Sequence, residues 1–154
     1  MGRIVLRRFR ILLAATATAM GLVLVLAAPA TAHTAAEAIQ AGCGAGYGLA
    51  SDGTRAVTNG SATWGYVHLA YNNSNGYNCV VTRKTSYHGT ASRVSVELTV
   101  QGSGTYYRSD PDAGHWESIS HYARGSCVQY YGWIWNPAGS ALAGGGRTSW
   151  GNCG

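Results

Sequence analysis

The chain has 154 residues, of which 22 are Gly and four are Cys, and only 11% are charged. Its formal charge of +5 is concentrated in Arg3, Arg7, Arg8 and Arg10, and from His33 onward seven basic residues face six acids. That near-neutral body lacks the electrostatic footprint of a nucleic-acid binder, and its wealth of aromatic residues excludes a disordered polar tail.

Residues 1–10 are basic, residues 11–28 are apolar or small, and Pro29-Ala30-Thr31-Ala32-His33 follows. A charged region, an apolar region and an Ala-x-Ala end describe a secretory signal peptide, residues 1–32, cut after Ala32. A cut after Ala30 is less favoured. The rival is a retained membrane anchor, for which an apolar run of about 16–18 residues is borderline. The body expected after cleavage, residues 33–154, is a single domain large enough for one hydrophobic core. No later stretch approaches transmembrane length, so no membrane association is expected once the signal is removed.

Residues 33–42 read as a short helix or a loose arm, and nothing after them reads as an amphipathic helix. Trp64–Tyr71 alternates as a strand, with Val67, Leu69 and Tyr71 on one face and Trp64, Tyr66 and His68 on the other. Asn72-Asn73-Ser74-Asn75-Gly76 tolerates positive φ and turns the chain into the return strand Tyr77–Arg83. Arg93–Gln101 carries the clearest alternation: Val94, Val96, Leu98 and Val100 point one way, and Ser95, Glu97 and Thr99 the other, as in a half-buried antiparallel strand. A short strand at Tyr106-Tyr107, a turn at Asp110–Gly114 and strands at His115–Tyr122 and Cys127–Trp135 follow. Asn136–Gly146, with four Gly and one Pro, reads as a flexible loop, and Arg147–Cys153 as a short closing strand. The expected fold is therefore all-β: a small antiparallel sandwich or barrel of six to eight strands.

Cys43, Cys79, Cys127 and Cys153 all follow the signal, and an even count in an exported chain argues for two disulfides. They form no C-x-x-C pair and have no zinc-finger spacing to His, so no metal and no cofactor are expected. Of three possible pairings, Cys43–Cys79 with Cys127–Cys153 is preferred because each then closes a shorter loop.

Enzyme signatures are missing: there is no G-x-S-x-G, no H-E-x-x-H and no P-loop. His115, Glu117 and His121 share one strand face with Ile119 and form a weak metal or general-base candidate, but a polar outer face is the preferred reading. Asp110-x-Asp112-x-Gly114 lacks the further ligands of a calcium loop and reads as a turn. Asn59-Gly60-Ser61 and Asn72-Asn73-Ser74 match the glycosylation pattern within turn-like sequence. No catalytic residue is assigned.

The aromatics are the remaining lead. Five Trp and ten Tyr all lie beyond the signal, whereas the single Phe, Phe9, lies within it. Each joins an apolar body to a polar tip and suits half-exposed positions. On Cys127–Trp135, Tyr131, Trp133 and Trp135 share a face opposite Tyr130 and Ile134. If Tyr130 and Ile134 are buried, the other three form an exposed row suited to stacking on sugar rings. Otherwise they fill a core short of Phe and Leu, which is the preferred reading.

Cys43-Gly44-Ala45-Gly46-Tyr47-Gly48, the run from Tyr71-Asn72 through Asn75-Gly76 to Asn78-Cys79-Val80-Val81-Thr82, Gly125-Ser126-Cys127 with Gly132, and the Trp150…Cys153-Gly154 ending form an ordered set. With these the chain resembles the streptomycete spore-associated protein A family of small secreted actinobacterial proteins, with a looser fit over residues 86–124. The resemblance implies export and association with the spore or aerial surface, and it supplies no catalytic residues. The expected function is that of a secreted, non-enzymatic protein retained at the cell or spore surface, with wall or spore polysaccharide as its partner. The alternatives are a carbohydrate-binding module using Tyr131, Trp133 and Trp135, or a secreted protease inhibitor or small hydrolase.

Overall fold

The computed structural model describes residues 31–154. The expected signal peptide therefore lies, but for Thr31 and Ala32, outside the described residues. A helix α1 (Ala35–Cys43) precedes eight strands: β1 (Gly48–Asn59), β2 (Ala62–Asn72), β3 (Tyr77–Lys84), β4 (Val94–Val100), β5 (Gly104–Asp110), β6 (Trp116–Tyr122), β7 (Val128–Trp135) and β8 (Leu142–Gly151). They form one antiparallel sheet of order β5-β4-β7-β8-β1-β2-β3-β6. The sheet curls into a nearly closed barrel in which the two end strands, β5 and β6, approach each other.

Side chains close that last gap. Tyr106 of β5 stacks on His121 of β6 with ring centroids 3.6 Å apart, and Arg108 Nε lies 3.2 Å from the Glu117 carboxylate. The face of β6 carrying Glu117, Ile119 and His121 is thus not a polar outer face. Glu117 is buried and Ile119 packs on the core, because the seam of a barrel draws inward what a free sheet edge would leave wet.

The interior is lined by Val57, Val67, Leu69, Val80, Val94, Val96, Leu98, Val128, Tyr130 and Ile134. β-Branched Val dominates because two heavy atoms on Cβ fit a pleated surface at low cost in side-chain freedom. On the outside of the barrel, α1 covers β2, β3 and β6: Ala38 and Ile39 bury Ala70, Cys79 and Val81, with Trp116 at the edge. This explains why seven consecutive residues of β3, Asn78–Lys84, are all buried, with alternate ones facing the core and the helix.

A capping box fixes the start of α1. The Glu37 backbone N–H donates to Thr34 Oγ1 at 3.2 Å, and the Thr34 N–H donates to the Glu37 carboxylate at 2.6 Å. Thr34→Ala removes half of this exchange. It is expected to cost about 1 kcal/mol of stability in thermal unfolding, with the loss of amide-exchange protection confined to α1.

Two disulfides join Cys43 to Cys79 and Cys127 to Cys153, the preferred pairing. The first ties the end of α1 to β3. The second ties the start of β7 to the chain terminus.

Two segments differ from the sequence reading. β1 has no counterpart there, since its register slips between Leu49 and Thr54. Asp52 adopts φ 55° at that irregularity and its carboxylate bridges Arg55 at 2.7 Å. A bulge of this kind erases the two-residue period by which strands are recognised. Residues 142–146, expected in a flexible loop, belong to β8: Gly144, Gly145 and Gly146 pair with Trp133, Gly132 and Tyr131. A Cβ on Gly145 would lie 1.9 Å from the Ala56 carbonyl oxygen, so glycine lets β8 sit tight against β1.

Candidate functional site

Burial alternates strictly along β7. Val128, Tyr130, Gly132 and Ile134 face the core, while Gln129, Tyr131, Trp133 and Trp135 face outward and remain half-exposed. The preferred sequence reading, in which the aromatic row fills the core, is therefore corrected: Val and Leu from the other strands, with Val128, Tyr130 and Ile134 of β7 itself, already fill the barrel interior.

The structure brings two of the three row residues together and adds one that the sequence did not single out. Tyr131 and Trp133 lie 4.7 Å apart, and Tyr107 of β5 meets Trp133 at 6.1 Å from across β4. On the neighbouring β8, Gly144 offers no side chain, and a Cβ there would stand 3.1 Å from the Tyr131 ring. The rings therefore lie down over glycine backbone. The Tyr107 hydroxyl donates to Ser95 Oγ at 2.8 Å, which fixes that ring. Trp135 takes the Arg93 guanidinium over its ring at 5.5 Å.

Beside the platform, a depression of about 150 Å³ is lined by Glu97, Gln129, Arg147 and Thr148 as well as Tyr131 and Trp133. It falls short of the roughly 300 Å³ and more that encloses a small ligand, so a partner would lie on this face, not within it.

The catalytic candidates His115, Glu117 and His121 are dispersed. Glu117 is paired with Arg108, His121 is stacked under Tyr106, and His115 joins a different set. Asp110 Oδ1 accepts the Asp112 N–H at 2.9 Å, as a turn requires. Asn72 is buried and caps its own turn by accepting from Ser74, so of the two glycosylation matches only Asn59 is exposed.

The set His115 joins lies at the edge of α1. His33, His88 and His115 hold their ligand-capable ring nitrogens within 4.8 Å of one another, all half-buried, and this is the one such group among the described residues. The ring centroids lie 4.4 to 5.0 Å apart, and Trp116 meets His33 edge-on at 4.9 Å. His115 Nδ1 and His88 Nε2 are 3.1 Å apart, and His88 Nδ1 is buried with no hydrogen-bond partner. Burial and the two neighbouring imidazoles hold the His88 pKa below the ordinary histidine value.

Each member is held from behind. The loops carrying His88 and His115 are tied together by Lys84, which is fully buried and gives its ammonium to the Thr90 carbonyl, Ser92 Oγ and the Ala113 carbonyl at 2.5, 2.8 and 2.9 Å. Three donors meet three acceptors, which is what makes a buried ammonium tolerable. The Arg83 guanidinium donates to the His33 carbonyl, and the α1 capping box begins at the next residue. The spacing of 33, 88 and 115 matches no metal motif, so the sequence carries no signal for this trio.

Fold and surface together define a small disulfide-stapled antiparallel β-barrel with an aromatic outer platform and a histidine corner. No protein-family model matches the chain, and no curated protein and no solved structure matches it.

Proposed function

We propose that this is an exported, non-enzymatic protein that adheres to the cell or spore surface, with the outer face of β4, β5 and β7 as its polysaccharide-binding platform. The observation that carries the reading is the contiguous, half-exposed set Tyr107, Trp133 and Tyr131. Rings of this kind present apolar faces to the C–H faces of sugars, and neighbouring Glu97 and Gln129 supply hydrogen-bonding groups for hydroxyls. Two disulfides fit an oxidising compartment, and no described helix is long and apolar enough to cross a membrane. The resemblance to the spore-associated protein A family supports retention at the spore or aerial surface.

The test is retention on insoluble peptidoglycan, chitin and cellulose, with wild type set against Trp133→Ala. Loss of this anchor is expected to weaken retention roughly thirtyfold, the equivalent of about 2 kcal/mol. Equal retention by a folded variant would refute the platform, and recovery of the native protein from the cytoplasm would refute export.

A further inference from the structure

We propose that His33, His88 and His115 form a binding site for a divalent transition metal, Cu(II) being held most tightly, and that the fourth nitrogen donor is the α-amino group of His33 released by cleavage after Ala32. This departs from the expectation that the chain holds no metal. The three-imidazole part stands without the adhesive reading, and the fourth donor rests on export alone.

The geometry is already close to a coordination sphere. Two nitrogens bound to one ion at about 2.0–2.1 Å are separated by roughly 2.9 Å in a square plane and roughly 3.3 Å in a tetrahedron. His88 Nε2 and His115 Nδ1 stand 3.1 Å apart, and the third ring lies within 4.8 Å, a distance that small ring rotations close. Imidazoles so near one another repel if protonated and share a single hydrogen bond if neutral; a cation accepts all of them.

The supporting shell is rigid. Lys84 pins both histidine-bearing loops, and Arg83 with the capping box pins His33. These two cations are turned onto carbonyl and hydroxyl oxygens and onto His68, and the Glu37 carboxylate lies 4.0 Å from His33 Nδ1. Rigid outer partners of this kind hold metal ligands in place.

Cleavage before His33 adds a donor that no internal histidine has. An amino group and Nδ1 of the same residue close a six-membered ring on one ion. The capping box survives the cut, because it uses the Thr34 amide. An all-nitrogen set suits Cu(II), Ni(II) and Zn(II), and Cu(II) heads the divalent affinity order.

The experiment uses metal-free chain beginning at His33, titrated with Cu(II) and Zn(II) by calorimetry, with electron paramagnetic resonance counting the nitrogens around Cu(II). One equivalent of Cu(II) bound by three to four nitrogens is expected. His88→Gln and His115→Gln are each expected to weaken it at least tenfold. A chain retaining residues 29–32 before His33 is expected to bind at least tenfold more weakly with one nitrogen fewer. Wild type that shows no stoichiometric binding, or binding that both glutamine variants leave unchanged, overturns the site. Unchanged binding by the extended chain overturns the fourth donor. Because the resonance spectrum reads the wild type directly, a variant that fails to fold leaves the proposal open to refutation.

Discussion

Replacing Cys43 and Cys79 together by Ala is expected to lower the stability of the barrel by about 4 kcal/mol, read from urea unfolding of the oxidised protein. In the chain-entropy account, a bridge closing a 36-residue loop removes that much freedom from the unfolded ensemble. The same account gives about 3.5 kcal/mol for the 26-residue loop of Cys127–Cys153. Against a total of about 5–15 kcal/mol for a domain of ordinary stability, either loss is severe. The first bridge has a further local consequence. It anchors the end of the helix whose start carries His33, and Cys79 is itself packed beneath Ala38 and Ile39. Its removal is therefore expected to loosen α1 before the rest of the barrel, seen as early loss of amide protection over residues 35–43. A change below 1 kcal/mol would show that packing alone holds the helix.

Acidification from pH 6.5 to about 4 is expected to cost the fold about 3 kcal/mol through His68. This side chain is buried on the face of β2 opposite the core residues Val67 and Leu69. Its Nδ1 lies 3.0 Å from Thr54 Oγ1, and Arg83 Nε donates to its Nε2 at 3.4 Å. An arginine Nε only donates, so Nε2 accepts and the proton sits on Nδ1, facing the threonine. Burial first, and the Arg83 charge second, push the pKa from the ordinary 6.5 down to about 4. Above pH 6.5 the ring is neutral in both folded and unfolded chain, and the full stability is present. Below it the unfolded chain takes up a proton that the folded one refuses, so stability falls until the folded ring also protonates near pH 4. His88, whose pKa is also lowered, contributes in the same direction. The measurement is the unfolding free energy against pH for wild type and His68→Gln. The variant is expected to lose most of the slope between pH 6.5 and 4, and an unchanged slope would assign the acid sensitivity to other groups.

How far the fold can be read from the chain depends on whether a strand's side chains report its two faces. Val94–Val100 does so plainly, because each apolar residue meets the core and each polar one its outer neighbours. Trp116–Tyr122 misleads, since Glu117 and His121 lie in a seam that exists only once β5 and β6 approach. Gly48–Asn59 and Gly144–Gly146 are silent, one through a register slip and the other for want of side chains. For the sites, alternation on β7 placed Tyr131, Trp133 and Trp135 on one face, but it could not say which face is wet. Tyr107 reaches Trp133 only because β5, β4 and β7 are neighbours in the sheet.

By itself the sequence determined an all-β class, most strand positions and the preferred cysteine pairing, all of which depend on local pattern or on loop length. Barrel closure, the outward turn of the aromatic row and the meeting of His33, His88 and His115 were decided by tertiary structure alone. These bring together residues dozens of positions apart, and the cost of closing such loops is met by the packing of the whole barrel, not by any short motif.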